Sequence, residues 1–412
     1  MSTIALFGAG RVAAPAIRLL TERGHQVHVW TDRPQDAPHI SGARVELLDA
    51  RNFDAVRAAV ARADLALSLL PAQLHGPVAR ACIRERKPFL STSYASAEIQ
   101  SLDAEARAQG VLLFNECGLD PGIDHLLAVD LLEQARVRGA RVTAFRSLCG
   151  GIPAPSANDN PFGYKISWST RGVALAGSRP ARYRENREER TCAPGEIFLE
   201  PRSCTIESTG TLEFYPNGDA IPYAKKYGIE DVSSIYRGTL RWPGWCETWS
   251  AIARLGWLDD SASPRTETRG EAAARLQLPS SHPILERLAW LGLFDAAHGA
   301  RSRLDHLVLL MEERLTYRPG EHDLVVLRDE IEIDREGRTE ILASTLVEEG
   351  TTDTSAMARL VGVPAALAAC RILQGAIEGA GVRIPDDAPT ARLLLEDLAG
   401  AGIVARSGAE TS

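Results

Sequence analysis

One short stretch near the start carries residue types spaced for holding a diphosphate. Gly8-Ala9-Gly10-Arg11-Val12-Ala13 follows an apolar run and opens a helical pattern. The first glycine of such a G-x-G-x-x-A fingerprint permits a tight turn. The second lets the backbone approach a pyrophosphate, and the alanine keeps helix and strand close. The helix start then offers unpaired N–H groups and the positive end of its dipole. Arg11 and Val12 belong to that cradle. Asp32 and Arg33 follow the second strand. A carboxylate there bonds a ribose 2′-hydroxyl, favouring NAD, and an arginine pairs with a 2′-phosphate, favouring NADP. The adjacent pair leaves the choice open. Asp49 ends the third strand and is either an adenine-side contact or a turn residue. Leu70-Pro71 ends a strand where a dinucleotide would cross the sheet.

The elements that position these residues read as alternating strand and helix. Apolar runs at 4–7, 26–30, 45–48, 65–70, 89–92 and 111–114 alternate with helical spacing at 11–23, 53–61, 77–85 and 102–109. This predicts an α/β fold with a doubly wound parallel sheet of the Rossmann type. β patterning marks residues 142–245, helical patterning 246–320, and two strands around Glu336-Gly337 the stretch 323–348. Residues 355–379 read as a helix pair broken at Pro364, and 408–412 as a frayed end.

The chain has 412 residues, too many for one core, and a net charge of −8 without a long basic run. Nucleic acid is therefore not an expected partner. No apolar stretch reaches bilayer length by this reading, so no membrane partner is expected. The N-terminus shows no targeting pattern, and the seven cysteines form no C-x-x-C pair. The expectation is a cytoplasmic protein without a metal site; a homodimer is left open.

Longer motifs carry a more specific resemblance. They are Thr92-Ser93-Tyr94, the run 115–125 reading NECGLDPGIDH, the run 149–155, the run 159–169 and Arg237-Gly238-Thr239-Leu240-Arg241. Together with 344–347 and 357–384 they resemble the glutamate-forming saccharopine dehydrogenases over nearly the whole chain. The resemblance implies a dinucleotide domain at 1–120. It implies a discontinuous α+β substrate domain at 121–245 and 321–390, with an inserted helical domain at 246–320 and a C-terminal segment at 391–412. It implies a reaction in which glutamate and 2-aminoadipate 6-semialdehyde form an imine that NADPH reduces to saccharopine. It favours NADP, with NAD not excluded.

By position in those motifs, Ser93, Tyr94, Asp120, Thr239, Leu240 and Arg241 are implied substrate contacts. Ser93, Leu119, Asp120 and Pro121 are implied neighbours of the cofactor. Asp120, Tyr94 and Lys165 are the catalytic candidates. Lys165 stands in a polar-aromatic run where a desolvated amine can shuttle a proton or neutralise a carboxylate. A turn-capping Asp120, a packing Tyr94 and a solvated Lys165 are the bland alternatives. His125 is a weaker candidate base at a helix start, and Cys117 and Cys149 read as core residues. One departure stands out. The family's Pro-Asn-Arg-Asp-Ser is here Pro216-Asn217-Gly218-Asp219-Ala220. Either Lys225 or Lys226 replaces the missing cation, or the substrate lacks a carboxylate. An opine-type reductase for another amine–carbonyl pair and a non-catalytic NAD(P) sensor are the alternatives.

Overall fold

A computed structural model describes residues 1–264, 267–296 and 299–410. They form two compact units. One comprises Met1–Gln134 and Met357–Ala405, the other Ala135–Ala356 and the residues from Arg406 on.

The first unit is built on β1 (Thr3–Phe7), β2 (Gln26–Thr31), β3 (Ala43–Leu47), β4 (Leu65–Ser68), β5 (Phe89–Ser91), β6 (Leu112–Phe114) and β15 (Gly381–Arg383). They make one parallel sheet in the order β15-β6-β5-β4-β1-β2-β3. Strands buried on both faces read as continuous apolar runs, and Ile4–Phe7 are at most 1% exposed. α1 (Ala13–Glu22), α2 (Phe53–Ala61), α3 (His75–Glu85), α4 (Ala97–Ser101) and α5 (Asp103–Gln109) connect them. The order reverses between β1 and β4, the point where doubly wound sheets bind ligands. α6 (Ile123–Val137) follows β6.

The C-terminal part of this unit departs from the sequence expectation. Residues 357–390 belong with the dinucleotide sheet, because β15 extends it beside β6 and Asn115 N donates to Arg383 O. The expected break at Pro364 is absent: α13 (Ala356–Leu373) runs through it. A proline inside a helix costs about 3 kcal/mol. Residues 362–370 are all buried, and ending the helix there would strand several backbone groups at ~1–3 kcal/mol each, so continuity wins. With a mean hydropathy of 1.6, α13 is long and apolar enough to cross a membrane, contrary to the sequence reading; 78% of it is buried inside the protein. α14 (Ala388–Gly400) completes the unit.

The second unit is a nine-stranded sheet of β7 (Arg141–Pro153), β8 (Ala181–Glu185), β9 (Glu188–Cys192), β10 (Arg202–Ile206), β11 (Gly210–Pro216), β12 (Ser234–Arg241), β13 (Asp323–Arg335), β14 (Arg338–Glu349) and β16 (Arg406–Glu410). The main path runs β10-β11-β12-β7-β13-β14-β16; only β12 and β7 pair in parallel. Glu336 and Gly337 both have positive φ, which closes the two-residue hairpin expected between β13 and β14. These strands are longer than expected from apolar residues alone. Charged residues lie within them, with Arg328 Nε 2.9 Å from Oε2 of the buried Glu330 and the half-exposed Arg146 paired to the same carboxylate. Gly408, expected to fray, pairs with Ala343 in β16; Thr411 and Ser412 lie outside the described residues, as do Arg265 and Thr266 in the acidic loop.

The helices α7 (Thr170–Ala176), α8 (Ile221–Lys226), α9 (Trp245–Arg254), α10 (Arg269–Leu276), α11 (Pro283–Leu291) and α12 (Arg303–Arg314) belong to the second unit. The stretch expected to be a separate helical domain shares one core with the sheet. Trp245, Trp249, Leu285, Leu288 and Leu307 cluster with Tyr164, Phe198 and Tyr215.

Gly362 tests how α13 supports the first unit. A Cβ at that position would lie 2.8 Å from Val12 O and 3.0 Å from Ala16 N, both backbone atoms of the fingerprint helix. Gly362→Val should destabilise the chain by about 1–3 kcal/mol and weaken NADP binding together. Denaturant titration and calorimetry check this; unaltered NADP affinity in a destabilised variant would separate α13 from the cradle.

Candidate active site

The fingerprint folds as its residue types require. Gly8 has φ +98°, and a Cβ there would meet the Leu69 carbonyl carbon and oxygen at 3.0 Å. A Cβ at Gly10 would meet nothing within 4 Å, so its backbone faces open space. Val12 precedes α1 and gives no side-chain cap, and Ala13 is fully buried. These features fit a bound diphosphate at the helix N-terminus. Leu70 packs against the core beside this turn.

Asp32 and Arg33 are exposed at the end of β2. The Asp49 carboxylate accepts from Arg51 N at 2.9 Å and from Arg51 Nε at 2.9 and 3.2 Å, which holds it below the usual carboxylate range. Asp49 thus engages Arg51 within its own turn. Arg51 is a cation that the sequence reading missed; it stands close enough to Asp32 to feel its charge.

Deeper in this unit, two chains of hydrogen bonds organise the loops after β5 and β6. The ring of His75 lies 2.8 Å from Ser68 Oγ through Nδ1 and 2.9 Å from Ser93 Oγ through Nε2. Burial pushes its pKa down to about 4, so it is neutral at physiological pH. Sequence reasoning passed over His75; the only signal was a histidine opening a helix seven residues after a strand-ending serine. Tyr94 Oη donates to Asp120 Oδ1 at 2.6 Å. Asp120 sits in a turn closed by Gly118 N to Pro121 O and Ile123 N to Gly118 O. A Cβ at Gly122 would overlap the Gly118 backbone, so only glycine fits. Leu119 and Pro121 are buried in the turn. His125 is fully buried, 2.8 Å from Glu116 Oε2 and 3.8 Å from Asp124 Oδ2. It is enclosed and held by these two carboxylates rather than open to substrate as a base. Cys117 is a buried thiol raised by burial, as its core reading implies.

In the second unit, Arg241 ends β12 with 4% exposure. Nη1 donates to Leu240 O at 2.8 Å, and Nε finds no protein acceptor. The guanidinium carbon lies 4.9 Å from the Tyr164 ring centroid, 5.2 Å from Trp245 and 6.0 Å from Tyr215. Its charged and titratable neighbours are Tyr215, Tyr164, Cys246 and Cys149, and among the described residues no carboxylate pairs with it. Burial pushes the Tyr215 hydroxyl up to about 12, so that ring is neutral. Thr239 is partly exposed on the same strand, whereas the Leu240 side chain is fully buried and only backs Arg241.

Lys165 is 3% exposed, not solvated. Its Nζ lies 2.6 Å from Glu321 Oε2 and 2.8 Å from Asp159 Oδ1. Burial alone would raise the Glu321 carboxyl, but hydrogen bonds from Lys165 and Arg318 hold it down at about 2. An ammonium shared by two carboxylates is poorly placed to carry a proton. At the Gly218 turn, φ is +64° and Arg182 N donates to Gly218 O. The Arg182 guanidinium pairs with Asp219 and Glu189 at 3.1 and 3.0 Å. Lys225 is exposed, and Lys226 Nζ lies 4.4 Å from the Tyr223 ring. Arg182 is thus a further cation at this turn that the sequence reading did not name.

The parallel sheet with its fingerprint defines a dinucleotide-binding domain, and the α+β unit holds a buried arginine with no carboxylate partner among the described residues. Family models sharpen this class. The saccharopine dehydrogenase NADP binding domain matches residues 4–114, and the saccharopine dehydrogenase C-terminal domain matches residues 118–403. Saccharopine dehydrogenase [NADP(+), L-glutamate-forming] of Pyricularia oryzae is 33% identical over 96% of this chain and 96% of its own. The Saccharomyces cerevisiae protein of the same name is 32% identical over 93% of each. The apo structure of the histidine-tagged S. cerevisiae saccharopine dehydrogenase (L-Glu forming) superposes with a TM-score of 0.89, at 31% identity and full coverage of both chains. The chain belongs to the saccharopine dehydrogenase family, and its first domain is of the NADP-binding kind.

Cofactor choice is testable at Arg33. Arg33→Ala should weaken NADP by about 1.5–3 kcal/mol and leave NAD nearly unchanged, because only NADP presents a 2′-phosphate. Calorimetric titration with both dinucleotides checks this; an equal loss for both would remove Arg33 from phosphate recognition and point to Arg51.

Proposed function

We propose that the chain is an NADP-dependent, L-glutamate-forming saccharopine dehydrogenase. It interconverts saccharopine, NADP and water with glutamate, 2-aminoadipate 6-semialdehyde, NADPH and a proton. The observation that carries this reading is Arg241, a buried guanidinium with no carboxylate partner among the described residues. Taking an ion out of water costs several kcal/mol, and a charge left unpaired is retained where a ligand supplies its partner. An amino-dicarboxylate is such a ligand.

When bound, NADP would take up the hydride from the substrate carbon, and NADPH would return it in the reverse direction. The protein's own groups bind and move protons. Arg241 takes a substrate carboxylate, and the neutral rings of Tyr164, Tyr215 and Trp245 exclude water around it. Asp120 accepts the proton of the water that adds to the imine and returns it to the departing amine. The Tyr94 hydroxyl, donated to Asp120 Oδ1, fixes the orientation of that carboxylate. Ser93, held by neutral His75, and Thr239 supply uncharged hydrogen-bonding groups. All seven cysteines are thiols, which supports a reducing, cytoplasmic setting.

A second reading is favoured by Gly218 alone. With no arginine there, a related amine–carbonyl pair lacking one carboxylate is the alternative substrate class. Arg241→Ala should cost at least ~2 kcal/mol in kcat/KM for saccharopine. Steady-state assays with saccharopine and with analogues lacking one carboxylate check both readings. Preference for an analogue would favour the second, and an Arg241→Ala variant with wild-type kcat/KM would remove Arg241 from the site.

A further inference from the structure

Tyr94 and Asp120 lie on different loops, yet their contact is short. The residue between the two loops in space is Glu116, one of the few non-glycine residues with positive φ, at +61°. A side chain in this region is held there by its surroundings. Glu116 N donates to Ser93 O at 3.2 Å, and Glu116 Oε1 accepts from Ala95 N at 3.2 Å. One residue thus grips the backbone on both sides of Tyr94. Its other oxygen, Oε2, accepts from His125 Nε2 at 2.8 Å. His125 is fixed to the Asp120 turn through His125 N to Gly122 O, and its neighbour through Asp124 N to Leu119 O. Glu116 is 1% exposed and cannot reach a ligand.

We infer that Glu116, bridged to His125, is a positioning residue that sets the Tyr94–Asp120 hydrogen bond. The inference rests on the roles given above to Tyr94 and Asp120. With its backbone at positive φ, Glu116 presents its N–H to Ser93 O and its carboxylate to Ala95 N at once. Placing a reacting group off by about an ångström can cost on the order of 100-fold in rate. A shared carboxylate is therefore an economical way to hold two loops.

The test is a double-mutant cycle on the full chain. Glu116→Ala should lower kcat for saccharopine about ten-fold or more while NADP affinity stays within about two-fold. In a Tyr94→Phe background the same substitution should cost under about two-fold, because the contact it supports is already gone. Glu116→Gln keeps an acceptor for Ala95 N and should recover most of the rate. Equal losses in both backgrounds, or NADP affinity falling with kcat, would overturn the inference. Should Glu116→Ala not fold, Glu116→Gln and His125→Gln run the same cycle; failure of all three to fold makes the bridge a folding element and overturns it as well. A readout that needs no turnover separates this from the functional reading. With ¹³Cζ-labelled tyrosine, the Tyr94 resonance should shift alike in Asp120→Asn and Glu116→Ala. A wild-type chain inactive on saccharopine but showing those shifts would sink the substrate assignment and keep the positioning role. An unshifted Tyr94 resonance in Glu116→Ala would sink the positioning role.

Discussion

A buried guanidinium with no carboxylate beside it among the described residues is the constraint around which the second unit is arranged. Desolvating such an ion costs several kcal/mol. The Leu240 carbonyl and three aromatic faces offset part of that, at ~0.5–2 kcal/mol per ring. Four separate segments meet to provide them: the end of β12, the start of α9, β11, and the loop carrying Tyr164. The helices that looked like an inserted domain are bound into the same core through Trp245 and Trp249, whose rings stack at 4.1 Å. The aromatic residues therefore join the helices to the sheet and insulate the charge at once.

The first unit meets a different requirement, an open backbone. Gly8 must turn tightly under Leu69, Gly10 must present bare backbone, and Gly362 must let α13 lie against the fingerprint helix. Gly8 and Gly10 share one turn, whereas Gly362 comes from more than 350 residues later in the chain. α13 thus packs against the fingerprint helix, while β15 extends the same sheet beside β6.

Much of the dinucleotide fold was legible because its signals are local. The glycine spacing, the apolar strand runs and the alternation with helices all lie within windows of 10 or so residues, on the scale of a few turns. The Asp-Pro-Gly turn and the Glu336-Gly337 hairpin were legible for the same reason. What was not legible depends on partners far away in sequence. Lys165 reads equally well as a desolvated catalytic amine or a solvated lysine until Glu321 arrives 156 positions later. Glu116 reads as an ordinary acid until its two oxygens meet Ala95 and His125. Pro364 reads as a helix break because periodicity carries no information about burial. Residues 357–390 read as part of the substrate domain because only a strand pairing assigns them to the other sheet.

The central claim is that Arg241 is kept at a cost to stability because a ligand carboxylate completes it. The most direct measurement is the thermal unfolding of Arg241→Met, a near-isosteric apolar replacement, with and without saccharopine and NADP. Without ligand the variant should melt at or above the wild type, by up to about 2–4 °C for each kcal/mol relieved. Adding saccharopine with NADP should raise the wild-type midpoint above that with NADP alone and leave the variant's unmoved. A variant that melts several degrees lower without ligand, yet gains as much as the wild type from saccharopine, would contradict the claim and make Arg241 a structural residue.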